Sequence, residues 1–239
     1  MNLKKHIQLT TNIVQYNLKI IFAGKFLWFL LAAFGFFAFF MFQQAWNRAE
    51  INEASIFNLL LFPCLLLIFY PVVFGIQNDE DNRILEIIFG IPNYRYKVWG
   101  VRMLMIYVAN YFILVVFAYI ARILLYPVNI FEMPFQLIFP MLFFGNLAFM
   151  FSTITRSGNG TAVIMIVFGL ALFIFMNANG QIANSYWNIF LNPFSIPSNI
   201  HPIIWQNTIL KSRLFLLIGS IVWLMIGFFN LQKREKFVQ

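Results

Sequence analysis

Charge is scarce in this chain, and acid is scarcest. Only 10% of its 239 residues are charged, and eight are Asp or Glu. A soluble globular chain is about a quarter charged and about half apolar, whereas here 62% of residues are hydrophobic. That balance excludes an ordinary soluble domain and points to a membrane. The net charge of +8 then reads as Lys and Arg placed in loops to set topology, and no nucleic-acid partner is expected. There is one cysteine, Cys64, inside an apolar run. It can form no internal disulfide and reads as a small buried hydrophobe. No Gly-x-x-x-x-Gly-Lys-Ser/Thr loop occurs: Gly24-Lys25 runs into Phe26 and lacks the first glycine. An ATPase site on this chain is therefore not expected. No His-Glu-x-x-His occurs, and His6 and His201 fall on opposite sides of the membrane in the topology below, too far apart to share a metal. No acid lies deep in a span, which speaks against an intramembrane enzyme. No cleavable signal peptide is expected, because the first apolar run begins only near Phe26 and no small-residue cleavage site follows it.

What the chain does have is long apolar runs. Six are visible: Phe26 to Phe42, Ile56 to Ile76, Met103 to Leu125, Phe135 to Ile154, Thr161 to Met176 and Leu214 to Leu231. They are continuous rather than alternating, so they predict helices and not barrel strands. The expected fold is an all-α polytopic membrane protein with six transmembrane helices. No repeat or linker divides it, and residues 1–239 read as one membrane domain. Before the first run, Ile7, Val14, Leu18 and Ile21 recur at helical spacing with Lys4, Lys5, Lys19 and Lys25 nearby. Residues 1–25 thus predict an amphipathic helix lying on the membrane surface; the alternative is an extension of the first span.

The basic residues divide unevenly between the two sets of loops. Lys4, Lys5, Lys19, Lys25, Arg83, Arg95, Lys97, Arg102, Arg156, Lys233, Arg234 and Lys236 fall on one side; Arg48, Arg122, Lys211 and Arg213 fall on the other. The richer side should be cytoplasmic, with both termini inside and an even number of spans. In this orientation Arg95, Lys97 and Arg102 lie at the head groups, and Arg122 snorkels at the outer end of the third span. Residues 177–213 form an outer segment that is uncharged up to Leu210 yet rich in Trp, Phe, Ile and Pro. It predicts short helices dipping into the outer half of the bilayer, broken at Pro193, Pro197 and Pro202. The alternative is an interfacial loop held by Trp187 and Trp205.

Half of the acid sits in one place. Asp79, Glu80, Asp81 and Glu86 fall within "NDEDNRILEIIFGIP", Asn78 to Pro92, on the expected cytoplasmic side. Asn78 predicts an N-cap, with three acids in the first turn favoured by the helix dipole. Ile84, Ile88 and Ile91 then share one face, with Leu85 and Phe89 beside them, before Gly90 and Pro92 end the helix. That apolar face with an acidic start fits a protein partner better than the negative inner leaflet. The alternative is a helix packed on its own spans.

This stretch resembles the coupling loop of permease subunits in type 2 ATP-binding-cassette exporters. That family typically reads Glu-x-Glu-x-Gly-Thr-Leu-Glu-x-Leu-Leu-x-x-Pro; here Asp79 and Asp81 stand for the two acids, with Leu85, Glu86 and Pro92 in register. Arg83 and Ile84 depart from the Gly-Thr of the pattern. The motif covers about fifteen residues, and the rest of the likeness is one of architecture. The resemblance implies that residues 78–102 form a cytoplasmic coupling loop, in which Asp79, Glu80, Asp81, Arg83, Leu85, Glu86 and Ile88 dock on an ATPase subunit. It implies a second permease copy, identical or not, and cassette-type ATPase partners that carry the ATP and Mg, with nothing bound by this chain. It also implies a bacterial cytoplasmic membrane. Other readings are an ion channel or ion-coupled carrier, for which Asn58, Asn110 and Asn146 could line a path, and a non-transporting scaffold. Asn159-Gly160-Thr161 fits a glycosylation acceptor but reads as a cytoplasmic turn.

Overall fold

The computed structural model describes residues 25–46, 51–81, 94–178 and 183–232. Within these residues the chain is helical, with no strand. The helices are α1 (Phe26–Trp46), α2 (Glu53–Val73), α3 (Gly75–Asp81), α4 (Val101–Leu124), α5 (Glu132–Thr155), α6 (Gly158–Ala178) and α7 (Pro202–Asn230). A π-helical turn, Arg95–Gly100, leads into α4. With α3 counted as part of α2 and the π turn as part of α4, six helices are long and apolar enough to cross a membrane. This is the architecture of a multi-pass membrane protein. It follows from the composition, because a backbone in hydrocarbon must satisfy its own hydrogen bonds and a helix does so within one segment. The expected surface helix falls, up to residue 24, outside the described residues.

Contacts fix the alternation of the helices. The backbone N–H of Lys25, before α1, donates to the Tyr70 hydroxyl near the end of α2, at 3.3 Å. Gly158, at the start of α6, meets Gln77 on α3. Asn192, before α7, donates to Ala54 O at the start of α2, at 2.8 Å. One end of the bundle therefore gathers the starts of α1, α4 and α6 with the finishes of α2, α5 and α7. This is the Asp79 end; the other is the Trp205 end.

α2 and α5 form the middle of the bundle. Buried residues make up 67% and 72% of their most apolar windows, against 17% for α1 and for α6. α5 packs most extensively on α7 and then on α2. Small residues allow this close approach. A Cβ added at Gly219 or at Gly227 of α7 would come within 2.7 Å of the Phe143 or the Phe149 ring of α5. Beside Gly219, Ser220 accepts from Asn146 Nδ2 at 2.6 Å, and Asn146 Oδ1 accepts from the Tyr107 hydroxyl at 2.6 Å. One buried amide thus ties α4, α5 and α7 together. Asn110 is also buried, while Asn58 is exposed and bonded to Asn192.

Three boundaries differ from the sequence reading. The last helix begins at Pro202 rather than Leu214. Pro202 does not break a helix here; it stands in the first turn, where it has no N–H to lose, and His201 Nδ1 accepts from Ile203 N. Residues 184–201 form successive turns where short helices were expected; residues 179–182 lie outside the described residues. Asn188 and Asn192 each accept from the backbone N–H two residues on, which rewards a turn over a helix. Asn159-Gly160-Thr161 lies in the first turn of α6; the turn before it is made by Arg156, in the left-handed region at φ 56°.

Candidate functional site

At the Asp79 end the second span bends before it finishes. Pro71 has no N–H to give within α2. The chain bends at Phe74 and resumes as α3. Ser152 of α5 donates to the Val73 carbonyl at 3.1 Å, giving a partner to backbone exposed at the bend.

α3 carries Asp79 inward. Arg102 Nη1 donates to Asp79 Oδ2 at 2.7 Å, with 5% and 3% of the two side chains exposed. The guanidinium also lies over the Trp99 ring, 4.6 Å from its centroid. Trp99 is itself buried, its ring tilted against that of Phe149 on α5. The π turn and the start of α4 thus supply both the cation and the aromatic plate beneath it. An ionised pair of this kind is shorter and stronger than a neutral hydrogen bond. Its net value is modest, because both ions have left water. Its effect is geometric: it joins the end of the second span to the start of the third.

Further bonds converge on the same end. Gln77 Oε1 accepts from Gly158 N at 2.6 Å, tying α3 to α6. The Tyr94 hydroxyl donates to the Leu231 carbonyl, tying the entry to α4 to the end of α7. Asn78 Nδ2 donates to the Tyr70 hydroxyl at 3.4 Å.

This geometry revises several sequence readings. Asn78 is not an N-cap; it lies inside α3, and the three acids follow it within a helix that has already begun at Gly75 rather than in the first turn of a new one. The bend at Phe74 restarts the helix earlier than the acid run suggests. Arg102 is not at the head groups but buried against Asp79. Of the seven expected coupling residues, Asp79 is turned into the bundle, while Glu80 and Asp81 are exposed. Arg83, Leu85, Glu86 and Ile88 lie outside the described residues. Lys97 and Tyr96 are exposed on the opposite side of the connection, and Arg122 is exposed at the far end of α4.

Sequence reasoning missed Arg102, Trp99 and a second buried cation, Arg213. Arg102 stands 23 positions from Asp79, and neither residue type marks its partner in sequence. Among the described residues, no three His, Cys, Asp or Glu side chains come together as a metal site would need. No protein-family model matches this chain, and no curated protein or solved structure does either.

Proposed function

We propose that this chain is the membrane permease subunit of an exporter driven by a separate cassette-type ATPase. In this reading both termini and the Asp79 end face the bacterial cytoplasm. Residues 82–93 present Leu85, Glu86 and Ile88, together with Glu80 and Asp81, to the ATPase. A second permease copy completes the path across the membrane, and ATP and Mg are bound by the partner alone. The segment 183–201 then lies at the outer face.

One observation carries the reading. The acid-x-acid-x-x-x-Leu-Glu motif joins two spans whose facing ends are held together by Asp79 and Arg102. A push on that connection would reach both spans through a rigid junction, as a coupling element requires. The six apolar helices agree with it.

The test is gentle detergent purification of tagged protein from its native host, followed by identification of the proteins that accompany it. A cassette-type ATPase is expected, and Leu85→Asp should remove it while leaving the spans folded. A clean homo-oligomer with no ATPase would refute the exporter reading.

A further inference from the structure

Among the described residues two cations are buried, Arg102 and Arg213. Arg102 has Asp79. No carboxylate among the described residues pairs with Arg213. It is 6% exposed and, among the described residues, meets only neutral acceptors: Nε donates to Gln136 Oε1 at 3.0 Å, and Nη2 donates to the Leu191 carbonyl at 3.3 Å. Its Nη1 is buried with no hydrogen-bond partner among the described residues. Three elements build the place: the first turns of α5, the body of α7, and the turn segment 183–201.

A guanidinium held by two neutral oxygens keeps its full charge in a poorly solvated place, and that is costly without an anion. Its planar fork suits the oxygens of a phosphate or carboxylate. Nη1 is free to take one such oxygen, and Nη2 shares only a long bond with Leu191.

The surround is apolar and aromatic. The guanidinium lies 5.3 Å from the Phe139 ring centroid, and Phe139 meets Phe135 edge-on at 5.6 Å. Phe135 is exposed, as is Leu214 next to the arginine. Trp187, also exposed, packs edge-on against Phe215 at 5.0 Å. A charged head at Arg213 would therefore have hydrocarbon surface beside it.

We infer that Arg213 is a binding site for a phosphate or carboxylate group carried as the headgroup of an amphiphile. The site does not depend on the ATPase reading.

The test uses purified full-length protein in neutral detergent. Thermal unfolding is followed by tryptophan fluorescence during titration with phosphatidylglycerol, diacylglycerol or inorganic phosphate. The proteins compared are wild type, Arg213→Gln, and Arg122→Gln as an exposed-arginine control. Phosphatidylglycerol is expected to raise the midpoint and diacylglycerol, which lacks the phosphate, not to. Its apparent affinity should fall about tenfold or more in Arg213→Gln and stay unchanged in Arg122→Gln. Phosphate acting weakly through Arg213 assigns the extra affinity to the attached chain and supports the proposal; phosphate acting as strongly as the lipid overturns its amphiphile part. Equal shifts with both lipids, or an unaltered response in Arg213→Gln, overturn the site. Where Arg213→Gln does not fold, Arg213→Lys is read instead: it keeps the charge without the fork, and unchanged affinity overturns the assignment.

Discussion

Removing either partner of the Asp79–Arg102 pair should destabilise the bundle far more than removing both. Two unit charges 2.7 Å apart attract by about 6 kcal/mol at an effective dielectric near 20. Taking both ions out of water costs several kcal/mol each, so the intact pair comes out near balance. A single deletion loses the attraction but leaves the other charge buried. Asp79→Ala and Arg102→Met should therefore each cost about 3–5 kcal/mol. The double variant Asp79→Leu with Arg102→Met fills the same space with apolar atoms and should lie within about 2 kcal/mol of wild type. The assay is equilibrium unfolding in mild detergent, followed by tryptophan fluorescence and assembled as a double-mutant cycle. Singles that each cost under about 1 kcal/mol and add in the double variant would refute the reasoning. They would mean that water reaches the pair and that it does not hold α3 to α4.

Two further outcomes follow from the packing. Gly227→Leu should push α7 off the Phe149 ring, since even a Cβ there lies 2.7 Å from that ring. It should cost about 1–3 kcal/mol or more, read as a lower unfolding midpoint, whereas Gly35→Leu, with nothing within 4 Å, should not. Trp205→Ala removes a side chain that is 2% exposed and whose Nε1 donates to the Pro193 carbonyl at 3.2 Å. It should cost about 3–5 kcal/mol and speed hydrogen exchange in residues 183–201 well above that in α5. Equal exchange in wild type and variant would show that Trp205 does not hold that segment.

Much of the fold was legible because apolar runs answer to one rule. A segment of about 20 apolar residues in hydrocarbon must be helical, whatever its neighbours do. The six helices contain the expected runs, except that the third ends at Leu124 rather than Leu125 and the sixth at Asn230 rather than Leu231. Their ends were less legible. Pro202 is compatible with a break or a start, and only the His201 cap and the burial of Trp205 against Pro193 decide for a start. The acid run "NDED" suits a first turn by composition. It lies within α3 because the bend at Phe74 restarted the helix before it.

The sequence by itself determined the class, an all-helical membrane protein, because hydropathy is local and adds up along a segment. It also singled out the Asp79 stretch, because acid is so rare in this chain. The tertiary structure alone decided what the charges do. Lys97 and Arg102 stand five positions apart, and composition treats both as loop cations. Burial depends on which helix faces lie opposite, and that is a property of the packed bundle. Packing left Lys97 and Arg122 exposed, set Arg102 on Asp79, and enclosed Arg213 with Gln136 and a carbonyl.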